Sequence, residues 1–197
     1  MAKLFFRYGT MNSGKTTNLI QVAYNYEERG MKVYILKPSQ DTKGNDHITS
    51  RINISRKVDK LIGEKDNILD IDFKNISCIL VDEAQFLKKE QVDQLMEIVV
   101  FKDIPVICYG LRTDNRGEAF EGSARLLAIA HKLEELKTIC RCSRKAIFNL
   151  RKVDGVPEFG GNQVCIDDQK SIEYEAMCGK CYLELKKEYE KTNSLKK

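Results

Sequence analysis

Gly9, Gly14, Lys15 and Thr16 stand in the spacing G-x4-G-K-T, directly after the apolar run Leu4–Tyr8. That spacing suits phosphate. Glycines let successive backbone N–H groups turn inward around phosphate oxygens, the lysine reaches the β- and γ-phosphates, and the following hydroxyl can hold Mg²⁺. Gly9, Met11, Asn12, Ser13, Gly14, Lys15, Thr16 and Thr17 are therefore the expected nucleotide contacts, and the helix they open would point its N-terminus at the phosphates.

A second acidic centre follows. The apolar stretch 77–81 delivers Asp82-Glu83. Asp82 is the expected companion of Thr16 on Mg²⁺. Glu83 can take a proton from an attacking hydroxyl, that of water in an ATPase or of a substrate in a kinase. The plainer reading of Glu83 is a cap on the following segment. The sequence carries no N-K-x-D guanine-reading motif. A small-molecule kinase needs an enclosed acceptor pocket, for which Met11, Gln85, Phe86 and the 111–120 loop ending at Phe120 are the material. A planar ring could stack on Phe86 or Phe120, which serve equally well as core residues.

These groups need elements to place them. A helix is expected over 16–29, with Leu19, Ile20, Ala23 and Tyr24 on one face and a stop at Gly30. A strand over 33–36 ends at Pro38; residues 40–55 read as a long polar loop at the nucleotide mouth, and Val58, Leu61 and Ile62 suggest a short helix. Strands over 77–81, 105–109 and 136–139 alternate with helices over 90–99 and 121–131. Buried strands alternating with amphipathic helices predict an α/β fold, a P-loop NTPase-type parallel sheet with helices on both faces.

After Cys140 short alternating stretches appear, with Gly155, Pro157, Gly160 and Gly161 between them, and too few apolar residues for an independent core. Cys140 and Cys142 with Cys178 and Cys181 can supply four thiolates to one structural Zn²⁺, with no position left for water; the alternative is four unrelated thiols. The expected division is a core over 1–139, a small zinc ribbon over 140–184 and a Lys-rich, helical tail over 185–197. Cys78 and Cys108 sit in apolar runs and read as core. Among 197 residues, 33 basic against 29 acidic side chains leave +4, without the clustering that a nucleic-acid surface needs. No run approaches the roughly 18 apolar residues of a membrane span. A strand beginning at residue 4 leaves no room for a secretory signal, so a cytoplasmic protein is expected.

With these residues in place, the chain resembles the cytosolic, human-type thymidine kinases, most of all their bacterial branch. The likeness runs through Asn25-Tyr-Glu-Glu-Arg-Gly-Met31, Ser50-Arg51, Val81-Asp-Glu-Ala-Gln-Phe86, Tyr109-Gly-Leu-Arg-Thr-Asp114, Arg116-Gly-Glu118, Leu136-Lys-Thr-Ile-Cys140 and the terminal Cys178-x2-Cys181-Tyr182. The resemblance implies ATP-dependent phosphorylation of the 5′-hydroxyl of thymidine or deoxyuridine, beside a zinc domain whose lasso loop closes over the nucleoside. It implies Glu83 as general base, Lys15 as phosphate clamp, Thr16 and Asp82 as magnesium positions, and Arg51 as the arginine of a Ser-Arg pair. Asp41 matches an acidic loop residue. Met11, Leu111, Phe86 and Phe120 match residues around the base, and Tyr174 a lasso tyrosine. A homotetramer, inhibited by thymidine triphosphate at the acceptor site, is implied with them.

Four departures stand out. Lys43 replaces an arginine and loses its bidentate fork. Asn115 replaces an aromatic wall residue. Asp167-Asp168 replaces Gly-Gly, where glycine's backbone freedom has few substitutes. The first cysteine pair is C-x-C. Two rivals remain: a nucleotide-dependent switch or binding module with the ribbon as docking surface, and a nucleoside kinase with another acceptor.

Overall fold

Short runs apolar on both faces, 78–81 and 106–110, form buried strands at the middle of the first unit's sheet. A computed structural model describes residues 1–40, 46–161 and 171–194. Strands β1 (Leu4–Tyr8), β2 (Val33–Pro38), β3 (His47–Thr49), β4 (Ser55–Lys57), β5 (Lys60–Ile62), β6 (Cys78–Val81), β7 (Val106–Gly110) and β8 (Lys132–Glu135) alternate with helices α1 (Lys15–Glu27), α2 (Lys89–Phe101) and α3 (Glu121–Ile129). Six strands form one sheet in the order β5-β2-β6-β7-β1-β8, every pair parallel.

The period of two along each strand divides its side chains between two cores. Leu4, Phe6, Ile79, Val81, Val106 and Cys108 face α2 and α3. Ile35, Leu80, Ile107 and Tyr109 face Leu19 and Ala23 of α1. The helices thus cover both faces, as the alternation predicts. Burial pushes the Cys78 thiol up to about 11, and raises that of Cys108 as well, so both behave as small apolar groups.

Three local expectations are corrected. The Val58-Leu61-Ile62 spacing, read as a helix, is no helix: Leu61 and Ile62 lie in strand β5 and Val58 just before it. Asp59 pins it there: its carboxylate accepts the Ile35 N–H at 2.7 Å, and its own N–H donates to the Ile35 carbonyl at 2.9 Å. The polar loop over 40–55 holds the β3–β4 hairpin, turned by Asn53 at φ 59° and by the Ser50 hydroxyl accepting from the Ile54 N–H at 3.2 Å. The last strand lies at Lys132–Glu135 rather than 136–139. Among the described residues it pairs on one side only, with β1, and an edge tolerates the charges that hid it from a search for apolar runs. Ile139 is exposed and bridges Lys145.

The second unit comprises residues 9–13, 113–119 and 137–197. Its antiparallel sheet runs β10 (Val156–Glu158), β9 (Phe148–Val153), β11 (Ile172–Met177), followed by α4 (Gly179–Ser194). Leu150, Phe159, Ala176, Met177 and Tyr182 form its core, with Phe148 stacked on Tyr182 at 4.4 Å between ring centres. Among the described residues no helix is long and apolar enough to cross a membrane.

In the first unit, Gly122 of α3 lies against the 84–87 turn: a Cβ there would fall 2.5 Å from the Ala84 carbonyl oxygen and 2.7 Å from that of Leu87. Replacing glycine by alanine inside a helix ordinarily stabilises by about 1 kcal/mol. Here backbone must move, so G122A should instead lose about 1–3 kcal/mol, read from urea unfolding.

Candidate active site

The phosphate loop departs from β1 and ends in α1. Asn12 at φ 66° and Gly14 at φ 77° bracket Ser13 in the left-handed region, an alternation that turns successive N–H groups into one concavity. A Cβ on Gly14 would meet nothing within 4 Å, so it is the backbone angle that calls for glycine. The Ser13 N–H donates to the Thr10 carbonyl at 3.4 Å, and the Ser13 hydroxyl is buried with no partner among the described residues. An anion seated in this concavity would meet that hydroxyl and the N-terminus of α1.

Lys15 opens α1 and is buried. Burial pulls its ammonium below the ordinary lysine value; the carboxylates of Glu83 and Asp82 push it back up, and the Arg51 charge adds to the fall. Thr16 follows on the first turn, its hydroxyl 3.5 Å from Asp82 Oδ2. Two hard oxygen donors so placed fit Mg²⁺. Thr17 is half-buried and Gly9 buried. Arg51 sits exposed at the tip of the β3–β4 hairpin.

Glu83 follows Asp82 in the left-handed region at φ 49° and ψ 38°. Such a conformation in a residue other than glycine is strained and recurs at functional sites. Gln85, 1% exposed, holds its carboxylate: Nε2 donates to Glu83 Oε2 at 2.5 Å, while Gln85 Oε1 accepts the Leu111 N–H at 3.0 Å. Leu111 is held from its other side by the Ser123 hydroxyl on its carbonyl at 2.5 Å. Phe86 and Phe120 meet edge to face at 5.6 Å; Phe120 is buried and Phe86 half-buried. Glu83, Gln85, Phe86, Leu111 and Phe120 are thus joined around the end of β6.

Arg112 lies over the Tyr8 ring at 6.0 Å, and Arg116 makes a fork with Asp114 at 2.8 and 3.0 Å. Asn115, taken from sequence as a lost pocket wall, is a buried structural link. Its Nδ2 donates to the Glu158 carbonyl at 3.2 Å, and its carbonyl accepts the Tyr182 hydroxyl at 2.6 Å. Tyr174 pairs with Arg151 in the second unit's sheet. Asp41, Lys43 and Asp167-Asp168 lie outside the described residues.

Sequence reasoning missed the groups that hold the loop's flanks. Arg7, alone among apolar neighbours in β1, meets Glu134 at 2.6 Å and donates to Asn18 Oδ1 at 3.0 Å and the Tyr109 hydroxyl at 2.9 Å; that hydroxyl donates to the same Asn18 oxygen at 3.1 Å. Asn18 stands one turn into α1, so the network bolts the helix that begins with Lys15 to the sheet. A lone arginine in a buried strand was the available signal. Asn149 is the second such residue: its Oδ1 accepts the Met11 N–H at 2.7 Å.

In the second unit the sulfurs of Cys140, Cys142, Cys178 and Cys181 lie within 4.8 Å of one another. Cys140 and Cys142 ride the turn closed by the Ile139–Lys145 bridge; Cys178 and Cys181 flank the first turn of α4. The Cys181 N–H pulls the Cys178 thiol down to about 7, while hydrogen bonding from Cys142 and Cys178 pushes the Cys181 thiol up to about 12. Four sulfurs this close cannot all ionise unless a cation balances them. A soft, four-sulfur donor set fits tetrahedral Zn²⁺ and leaves no position open.

A parallel sheet whose first strand feeds a Gly-Lys-Thr loop, with an acidic pair on a strand one place removed, defines a P-loop nucleotide-binding protein. The thymidine kinase family model matches residues 2–182. The thymidine kinase of phage T4 is 47% identical over 95% of this chain and 98% of its own; that of Francisella tularensis SCHU S4 is 45% identical over 93% and 98%. A third, from Mannheimia succiniciproducens, is 52% identical over 77% of this chain and 80% of its own. The chain belongs to the thymidine kinase family.

The Gln85 bridge carries a testable consequence. Q85L removes both hydrogen bonds within a similar volume and should lower unfolding free energy by about 1–3 kcal/mol. Q85E keeps an acceptor for Leu111 but sets a second carboxylate against Glu83. Uptake of a proton at low pH relieves that repulsion, so its loss of stability should be larger near about pH 8 than about pH 5.

Proposed function

We propose that the protein transfers the γ-phosphoryl group of ATP to the 5′-hydroxyl of thymidine, and of deoxyuridine, for pyrimidine nucleotide salvage in the cytoplasm. The observation that carries the proposal is the placement of Glu83: its backbone is left-handed, Gln85 holds its carboxylate, and it follows Asp82, whose carboxylate lies 3.5 Å from the Thr16 hydroxyl. Lys15 and the loop N–H groups bind the phosphates and neutralise charge moving toward the leaving oxygen. Thr16 and Asp82 would hold Mg²⁺, whose chemistry would be to draw charge from the phosphate oxygens. Glu83 accepts the 5′-hydroxyl proton as that oxygen bonds to phosphorus and the bond to the β–γ bridging oxygen breaks. Arg51, at the hairpin tip, completes the positive charge around the transferring group.

Met11, Asp41, Gln85, Phe86, Leu111, Phe120 and Tyr174 form the acceptor pocket in this reading. Zn²⁺ held by Cys140, Cys142, Cys178 and Cys181 would be structural, since four thiolates would leave it no open position. Assembly as a homotetramer belongs to the proposal through the family resemblance, and light scattering tests it.

The assay is incubation with labelled ATP, Mg²⁺ and a panel of nucleosides. Phosphate on thymidine supports the reading. Phosphate on water alone would establish the ATPase switch instead, and phosphate only on another nucleoside would move the acceptor. E83Q, which keeps size but loses the basic oxygen, should slow transfer by about 10²- to 10⁴-fold; turnover near the parent rate would place the base elsewhere. Metal analysis should find about one zinc per chain, the stoichiometry of a four-thiolate site. Four freely titrating thiols and no zinc would remove the ribbon assignment.

A further inference from the structure

We infer that Asn149 is a positioning residue for the phosphate loop, acting through the Met11 backbone; this rests on the nucleotide reading above. Asn149 lies on β9, the central strand of the second unit's sheet, opposite Ala176 of β11. It is 3% exposed. Its Oδ1 accepts the Met11 N–H at 2.7 Å and its Nδ2 donates to the Thr113 carbonyl at 3.2 Å. The partners are one donor and one acceptor, which fixes the orientation of the carboxamide. Residues 9–13 belong with this unit, whereas the chain from Gly14 through Arg112 belongs to the other.

The consequence falls on the loop itself. Met11 precedes the two left-handed residues, Asn12 and Gly14, that shape the concavity. With its N–H taken by Asn149, Met11 presents no amide to phosphate; the amides that can face the anion lie beyond it, the Ser13 N–H being turned to the Thr10 carbonyl at 3.4 Å. Fixing residue 11 therefore sets where that curve begins. β9 is the strand that leads out of the Cys140–Cys142 turn, and β11 beside it leads into Cys178. The strand pair that carries Asn149 thus ends at the four-sulfur cluster, and through Asn149 it holds the Met11 end of the phosphate loop.

The test compares the full-length parent with N149L and N149D, reading hydrogen exchange at the Met11 amide and the Kd for Mg·ATP. N149L lacks both polar groups. It should expose the Met11 amide to exchange and raise the ATP Kd about tenfold, equal to about 1.4 kcal/mol, with zinc content unchanged. N149D keeps an acceptor and should leave Met11 protected. A role confined to ribbon stability would instead lower the unfolding midpoint and leave Kd and the Met11 amide at parent values in the folded protein, and that result overturns the inference. Where N149L does not fold, N149T, suited to a strand and too short to span both partners, carries the same expectation. Failure of the parent to bind ATP would bring down the nucleotide reading, and this inference with it.

Discussion

Burying an ammonium group costs several kcal/mol unless carboxylates face it, and Lys15 sets that requirement for everything around it. The sheet order meets it. One strand, β7, lies between β1, which feeds the loop, and β6, which ends in Asp82-Glu83. Two strand spacings, about 9.6 Å, separate the two ends, a gap that a loop and a lysine side chain can cross. Adjacent strands would crowd the loop against the carboxylates, and a wider separation would leave Lys15 uncompensated. The parallel order also brings both strand ends to one edge of the sheet, where α1 begins. The phosphate concavity, the Thr16–Asp82 pair and the buried Lys15 are therefore consequences of one topology.

Strain at Glu83 is sustained by its surroundings. A glutamate in the left-handed region persists only where neighbours determine it more strongly than its own preference. The 84–87 turn is packed against Gly122 without room for a methyl group, and Gln85 ties the Glu83 carboxylate to Leu111. Leu111 is in turn fixed by Ser123 of the same helix, α3. Leu111 of the proposed pocket and the proposed general base are thereby held by one connected set of contacts. An error at the carboxamide of Gln85 would reach the base and the pocket wall together.

What the sequence revealed follows from how far each signal travels along the chain. The Gly-Lys-Thr spacing, the Asp82-Glu83 pair after an apolar strand and the paired cysteines are local signals, readable from type and interval without the fold. Strand β5 escaped because Val58, Leu61 and Ile62 carry a helical spacing, while the interaction that overrides it joins Asp59 to Ile35. Strand β8 escaped because an edge strand is permitted charge on its open side. The Arg7 network and Asn149 join residues more than 90 positions apart in most of their contacts, as in Arg7–Tyr109, Arg7–Glu134 and Met11–Asn149. No interval in the chain encodes such a pairing; only the folded register does.

The second unit shows why its sequence is discontinuous. Phe148 and Leu150 supply β9's apolar side, while Asn149 and Arg151 alternate with them and are also buried. Buried polar groups are tolerable only when each finds a partner. Arg151 finds Glu158 at 2.7 Å and the Gly160 carbonyl; Asn149 finds Met11 and Thr113. Two of these four partners come from segments far away in sequence, residues 9–13 and 113–119, which is why those segments count with the ribbon. A core this small gains from a cross-link as well. Cys142 and Cys178 stand 36 positions apart, and by the chain-entropy estimate for a covalent link, closing such a loop removes about 4 kcal/mol of unfolded-state freedom. A metal on the four sulfurs would act in the same sense. Cross-link and polar partners address different deficits, since one restricts the unfolded chain and the other satisfies groups that folding takes out of water. The second unit thus draws hydrogen-bond partners for Asn149 from residues 9–13 and 113–119, just as the Met11 N–H finds its acceptor in Asn149.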